Sequence, residues 1–136
     1  MTSNLRITLA AAALCAMPAA SDAHHSFAMF ANDKTVVVTG TVKEFEWVNP
    51  HSWLHVMVPA GGKSEEWAFE MGSPSMMAAR GWRADSVKVG DMVTVTAHPL
   101  KDAATRGGSE MSVKLPNGTV LGSQTPARPG TGPYDQ

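Results

Sequence analysis

Val48-Asn49-Pro50-His51-Ser52-Trp53-Leu54-His55-Val56-Met57-Val58 is the stretch from which the remainder of the chain can be read. It begins as a turn and continues as a strand. Pro50 fixes its own φ and pushes Asn49 out of the helical region, so Asn-Pro reads as a turn initiator. From Ser52 onward the pattern has a period of two. Leu54, Val56 and Val58 share one face, whereas His51, Trp53, His55 and Met57 share the other. The first face is core. The second carries two imidazoles, an indole and a thioether, which is more chemistry than a solvated strand face needs.

On the amino-terminal side, Thr35 to Trp47 is rich in β-branched residues and predicts strand one. Gly40 within it suggests a bulge or a sharp bend, as at a barrel corner. On the other side, Pro59 to Lys63 reads as a hairpin loop. Glu65 to Met71 follows as strand three, with Trp67 and Phe69 inward and Glu66 and Glu70 on the solvated side. Ser73 is a natural N-cap, Pro74 suits the first helical position and Gly81 stops the short helix between them. After a turn at Val87 to Asp91, Met92 to His98 alternates as strand four, with Val93, Val95 and Ala97 inward. Pro99 to Gly108 is a polar loop. Glu110 to Leu115, a Pro116-Asn117-Gly118 turn and Thr119 to Leu121 make strand five or a terminal hairpin. Three strands, a helix and two strands (β-β-β-α-β-β) is the order of an OB-like Greek-key barrel, a mainly β fold. Another small barrel or an open α+β sheet has the same order.

The chain of 136 residues is near the usual size of one domain, and its net charge of −1 supplies no basic footprint for nucleic acid. Arg6, the apolar run from Ile7 to Met17, Pro18 and the small-residue pattern Ser21-Asp22-Ala23 read as a secretory signal cleaved after Ala23. The run is shorter than the roughly 20 residues that span a bilayer, so a membrane-embedded protein is not expected. The expected organisation is a signal peptide over 1–23, an arm over 24–34, a barrel over 35–121 and a disordered tail over 122–136. The lone cysteine, Cys15, leaves with the signal. An exported domain without a disulfide must rest on a real apolar core, and a bacterial periplasm fits best.

Cleavage at that point makes His24 the first residue. Its free α-amine and imidazole then chelate one metal ion together, and a second histidine completes the T-shaped nitrogen set known from copper proteins as a histidine brace. His25, His51 and His98 are the other candidate ligands. His51 belongs to the loop joining strands one and two, and His98 opens the loop joining strands four and five. These are the loops that flank the ligand face of an OB-fold, so the two histidines are expected at one rim. A nitrogen-rich tetragonal set favours Cu(II), and zinc is the weaker expectation because no thiolate is present.

Each of these residues also has a plainer role. His24 and His25 read equally as a solvated end, and His51 as a hydrogen-bond donor that locks its turn. His98 reads as a strand cap. For His55 the plain role is the better one: it lies about 13 Å along the strand from His51, too far for one ion, and a cross-strand contact suits it. The methionines read mostly as packing, with Met57 set apart because it shares the His55 face. Trp47, Asn49 and Trp53 bracket the turn, and the two indoles offer a stacking platform for a protein segment, a glycan or a small ligand. No nucleophile elbow or phosphate loop is present, and Ser52 and His51 point to opposite faces. The carboxylates Glu44, Glu46, Glu66 and Glu70 read as solvated strand faces. A catalyst is therefore not expected. The readings that stand are a periplasmic carrier or scavenger of Cu(II), a non-catalytic binding module, or an accessory subunit.

His24-His25-Ser26-Phe27, Gly40-Thr41-Val42, Phe45-Glu46-Trp47, Asn49-Pro50-His51-Ser52-Trp53, Trp67-Ala68-Phe69-Glu70 and Gly81-Trp82 together resemble a family of small exported bacterial proteins. It is the domain of unknown function 6152, marked by Asn-Pro-His. The resemblance runs to about Gly122. It implies export and one small β-rich domain, with no established activity.

Overall fold

The computed structural model describes residues 26–122. The expected signal peptide, His24, His25 and the tail from 123 onward lie outside the described residues. Alternation along the chain becomes six strands and one short helix: β1 (Val36–Glu46), β2 (Trp53–Ala60), β3 (Lys63–Glu70), α1 (Pro74–Ala78), β4 (Met92–Pro99), β5 (Gly107–Lys114) and β6 (Val120–Gly122). The sheet order is β3-β2-β1-β4-β5-β6, and a further pairing of β3 with β5 closes the first five strands into a barrel. That closing pair is parallel, and the other neighbours are antiparallel. This is the OB-like barrel expected from the element order. β6 extends the sheet beyond the barrel by pairing with the end of β5.

The inner faces follow the period-two pattern. Leu54 and Val56 of β2, Phe69 of β3 and Val93, Val95 and Ala97 of β4 are all buried in one cluster. The β2–β3 hairpin turns on Gly61 and Gly62, with φ of 54° and 82°. A two-residue loop with both φ values positive matches the right-handed twist of the strands, and only glycine enters it without strain. Closure makes a different demand on glycine. A Cβ on Gly107 would lie 2.3 Å from the Ala68 carbonyl oxygen, and one on Gly108 would lie 2.2 Å from that of His98. β5 therefore enters between β3 and β4 only because these two positions carry no side chain.

Ser73 caps α1 as expected, its side chain accepting from the Met76 amide, and Pro74 opens the helix. The helix sends Met77 into the core cluster together with Met71 and Trp82. The Trp82 indole N–H donates to the Gly122 carbonyl at 3.3 Å, which ties β6 to the segment after the helix. Met71 and Met77 are packing residues as expected, whereas Met76 and Met92 are exposed.

Of the two forms expected at Gly40 the bend is the one found, and the bulge in β1 falls between Val42 and Glu44. Gly40 marks the bend where β1 passes from pairing with β4 to pairing with β2, and a Cβ there would strike the Met57 carbonyl oxygen at 2.4 Å. Glu70 is buried rather than solvated, because an imidazole covers it. Glu110, opposite the inward Ala97, is wholly buried as well.

Candidate functional site

The outer face of β2 and β3 carries two imidazole–carboxylate pairs. His51 precedes β2, but the ladder continues past the last strand pair. The Ser52 amide donates to the Gly72 carbonyl at 3.0 Å and the Met71 amide to the Ser52 carbonyl at 2.9 Å. His51 is thereby held beside the end of β3, where its Nδ1 meets Glu70 Oε1. The Glu70 side chain is only 10% exposed and that of His51 36%. A carboxylate so withdrawn from water needs a donor, and the Nδ1–H supplies it. With its proton on Nδ1, the neutral ring carries its lone pair on Nε2.

Four residues along the same face, His55 makes the second pair. Its Nδ1 lies 2.9 Å from Glu66 Oε1 and its Nε2 3.7 Å from Glu46 Oε1. Lys43 binds the other oxygen of Glu66. The hydrogen bond from Lys43, then that from His55, holds the Glu66 carboxyl below its ordinary value of 4.5. Both ring nitrogens of His55 thus face carboxylates, and the cross-strand role expected for it is the one observed. Met57 lies on this face with Thr41 and Glu66 as its register partners.

The two pairs share a geometric origin. In the β2–β3 register Trp53 opposes Glu70 and Met57 opposes Glu66. Each histidine therefore reaches the carboxylate diagonally, two residues off its direct partner, a separation that long side chains span. The signal was present in the sequence as His51 and His55 four apart, matched by Glu66 and Glu70 four apart on the next strand. Reading it required the turn to be fixed at Gly61-Gly62.

His98 lies on the outer face of β4, one residue beyond the inward Ala97. Its Nδ1–H donates to the Lys34 carbonyl at 2.8 Å. A carbonyl only accepts, so this ring also keeps its lone pair on Nε2. The arm is docked here: the Ala31 amide donates to the Pro99 carbonyl at 2.8 Å, the Lys101 amide to that of Met29 at 2.9 Å, and Phe30 bridges Leu100. Phe30 is buried, as an anchor should be.

In register, Glu70 opposes Ser109 and Ser109 opposes His98, so the carboxylate that holds His51 lies two strand spacings from His98 across β5, about 10 Å, and His51 itself belongs one strand further on. The His51 ring turns toward β3, and the His98 ring toward the chain entering β1. Among the described residues no group of three His, Cys, Asp or Glu side chains is placed to hold a metal ion. His24 and His25, the other expected ligands, lie outside them.

Of the remaining expected residues, Trp53 is partly exposed between Glu46 and Glu70 in register. Trp47 instead packs against the core, its ring 5.7 Å from that of Phe45. Asn49 is exposed and joins Pro50 through a cis peptide bond. No described helix is long and apolar enough to cross a membrane.

A family model matches residues 11–109, most of the chain. The chain belongs to the family of unknown function DUF6152. No curated protein and no solved structure matches this DUF6152 chain.

Proposed function

We propose that the protein is exported to the periplasm, loses its first 23 residues, and binds Cu(II) as a carrier or scavenger. The His24 amine and imidazole form the chelate in this reading, and His51 or His98 closes the nitrogen set. His25 is an alternative ligand. The observation that carries the reading is the state of the two outer-face imidazoles. Both have Nδ1 engaged by an oxygen acceptor and Nε2 left as the donor atom. Metal-ligating histidines are oriented in this way, by a carboxylate or a backbone carbonyl on the far nitrogen. His51 has the carboxylate, which fixes the direction of the ring. His98 has the shorter route to the amino terminus, since Lys34 beside it belongs to the docked arm. His24 is only five residues before Met29, at most about 17 Å of extended chain.

The test is a Cu(II) titration of protein beginning at His24 against a competing chelator. Placing one alanine before His24 removes the amine chelate and should weaken binding at least about tenfold, since the six-membered ring closed by the amine and the imidazole Nδ1 is lost. His51→Ala and His98→Ala identify the closing ligand as the one whose loss weakens binding further. Because the amine and imidazoles bind only when unprotonated, affinity should fall steeply below about pH 6. Unchanged affinity after the alanine extension would rule out the chelate.

A further inference from the structure

A cavity of about 440 Å³ opens between the arm and the loop joining β4 to β5, away from the histidine pairs. No histidine lines it. Its apolar surface comes from Trp67, Val36, Pro99 and Leu100, and its charged groups are Lys34, Lys101 and Arg106 against the single acid Asp33. For a chain with a net charge of −1, that local positive excess is distinctive.

Both walls are braced. The arm is pinned by the Lys34 amide donating to the Ala31 carbonyl at 2.9 Å, and by the Lys101 ammonium donating to the Ala28 carbonyl at 2.7 Å. The loop opposite is organised by Asp102, whose carboxylate accepts from the Ala104 amide at 3.0 Å and the Thr105 hydroxyl at 2.9 Å. Those two hydrogen bonds hold the Asp102 carboxyl below its ordinary value. Arg106 is fixed as well. Its Nε donates to Glu65 at 2.9 Å, its Nη1 to the Ala103 carbonyl at 3.3 Å, and its guanidinium carbon is 5.9 Å from the Trp67 ring centroid.

We propose that this cavity binds a small organic anion, a carboxylate carried on a flat aromatic or branched apolar body. The body lies against Trp67 and its apolar neighbours, and the carboxylate takes its place among Lys34, Lys101 and Arg106. The volume is in the range of small-molecule sites, which combine an apolar lining with a few fixed polar groups. Lys34 makes no ion pair among the described residues, and Arg106 has Nη2 uncommitted among them, so two donors are available to the carboxylate. This site stands apart from the metal reading, and neither depends on the other.

The probe is 2-naphthoate, with 2-naphthalenemethanol as its uncharged counterpart, titrated into the protein and followed by amide and indole NMR. The chain has four tryptophans, so the resolved Trp67 indole signal is preferable to total emission. Naphthoate should saturate below about 1 mM, which corresponds to about −4 kcal/mol. The largest shifts should fall on Trp67, Lys34 and Gly107. The alcohol should bind at least about tenfold more weakly, and Lys34→Gln should cost naphthoate about tenfold, as expected for a hydrogen bond to a charged group. Arg106→Gln should weaken binding similarly. Should that variant fail to fold, the exposed Lys34 carries the test alone. No saturation, equal affinity for acid and alcohol, or parental affinity in Lys34→Gln overturns the site.

Discussion

The two histidine–glutamate pairs on the β2–β3 face have the same chemistry and the same diagonal geometry, yet they sit in different surroundings. At His51 the carboxylate is the buried partner, with the Glu70 side chain 10% exposed. At His55 the imidazole is the more sheltered, at 20%, and Glu66 is 38% exposed and shared with Lys43. The first pair leaves one ring nitrogen unspent. The second spends both, on Glu66 and Glu46. Register alone therefore does not make a site. What separates the pairs is whether the carboxylate serves a single imidazole or a network of exposed charges.

Stability measurements can break that comparison, and the face beneath sets the scale. Leu54 is fully buried on the inner side of β2 between the two pairs, and Leu54→Ala should cost about 2–5 kcal/mol in denaturant unfolding. His51→Ala strips a buried carboxylate of its donor and should cost about 1–2 kcal/mol by the same measurement. His55→Ala should cost clearly less, because exposed ion pairs contribute little. Equal losses at the two histidines would remove the distinction.

pH sharpens the comparison further. The Glu66 carboxyl titrates below its unfolded value of 4.5 in the folded protein. A depressed carboxylate stabilises fully above the unfolded value and loses that contribution as pH falls through the folded one. The Glu66→Gln variant should thus differ slightly from the parent in Tm at neutral pH and converge on it in the acid range below 4.5. A gap that widens on acidification has the wrong sign for this account. The smallest expected effect is at Ser52, whose buried hydroxyl has no hydrogen-bond partner among the described residues. Ser52→Ala removes a polar group that gains nothing from burial, so it should shift stability by no more than about 0.5 kcal/mol, and upward if at all.

The barrel was legible because its strands alternate cleanly: Leu54 and Val56, or Val93, Val95 and Ala97, have one possible inside. The helix was legible from Ser73 and Pro74, whose roles are local. The closing contact was not, because it depends on Gly107 and Gly108 passing close to the backbones of strands distant in sequence. Glu70 was misplaced for a related reason. Polarity predicts exposure until a partner from another strand, or the inward side of a barrel strand, reverses it. The histidines stand out in the sequence by type and by strand face, but the aim of their rings was not readable, since ring direction is set by tertiary partners such as Glu70 and the Lys34 carbonyl. The platform of Trp47 and Trp53 met the same obstacle, with Trp47 drawn to Phe45.

The most direct measurement of the metal reading is the EPR spectrum of one equivalent of Cu(II) in protein beginning at His24. The account predicts hyperfine structure from at least three nitrogens, altered when a single alanine precedes His24 and altered again in His51→Ala or His98→Ala. A spectrum indifferent to the extension and to both histidines would contradict it.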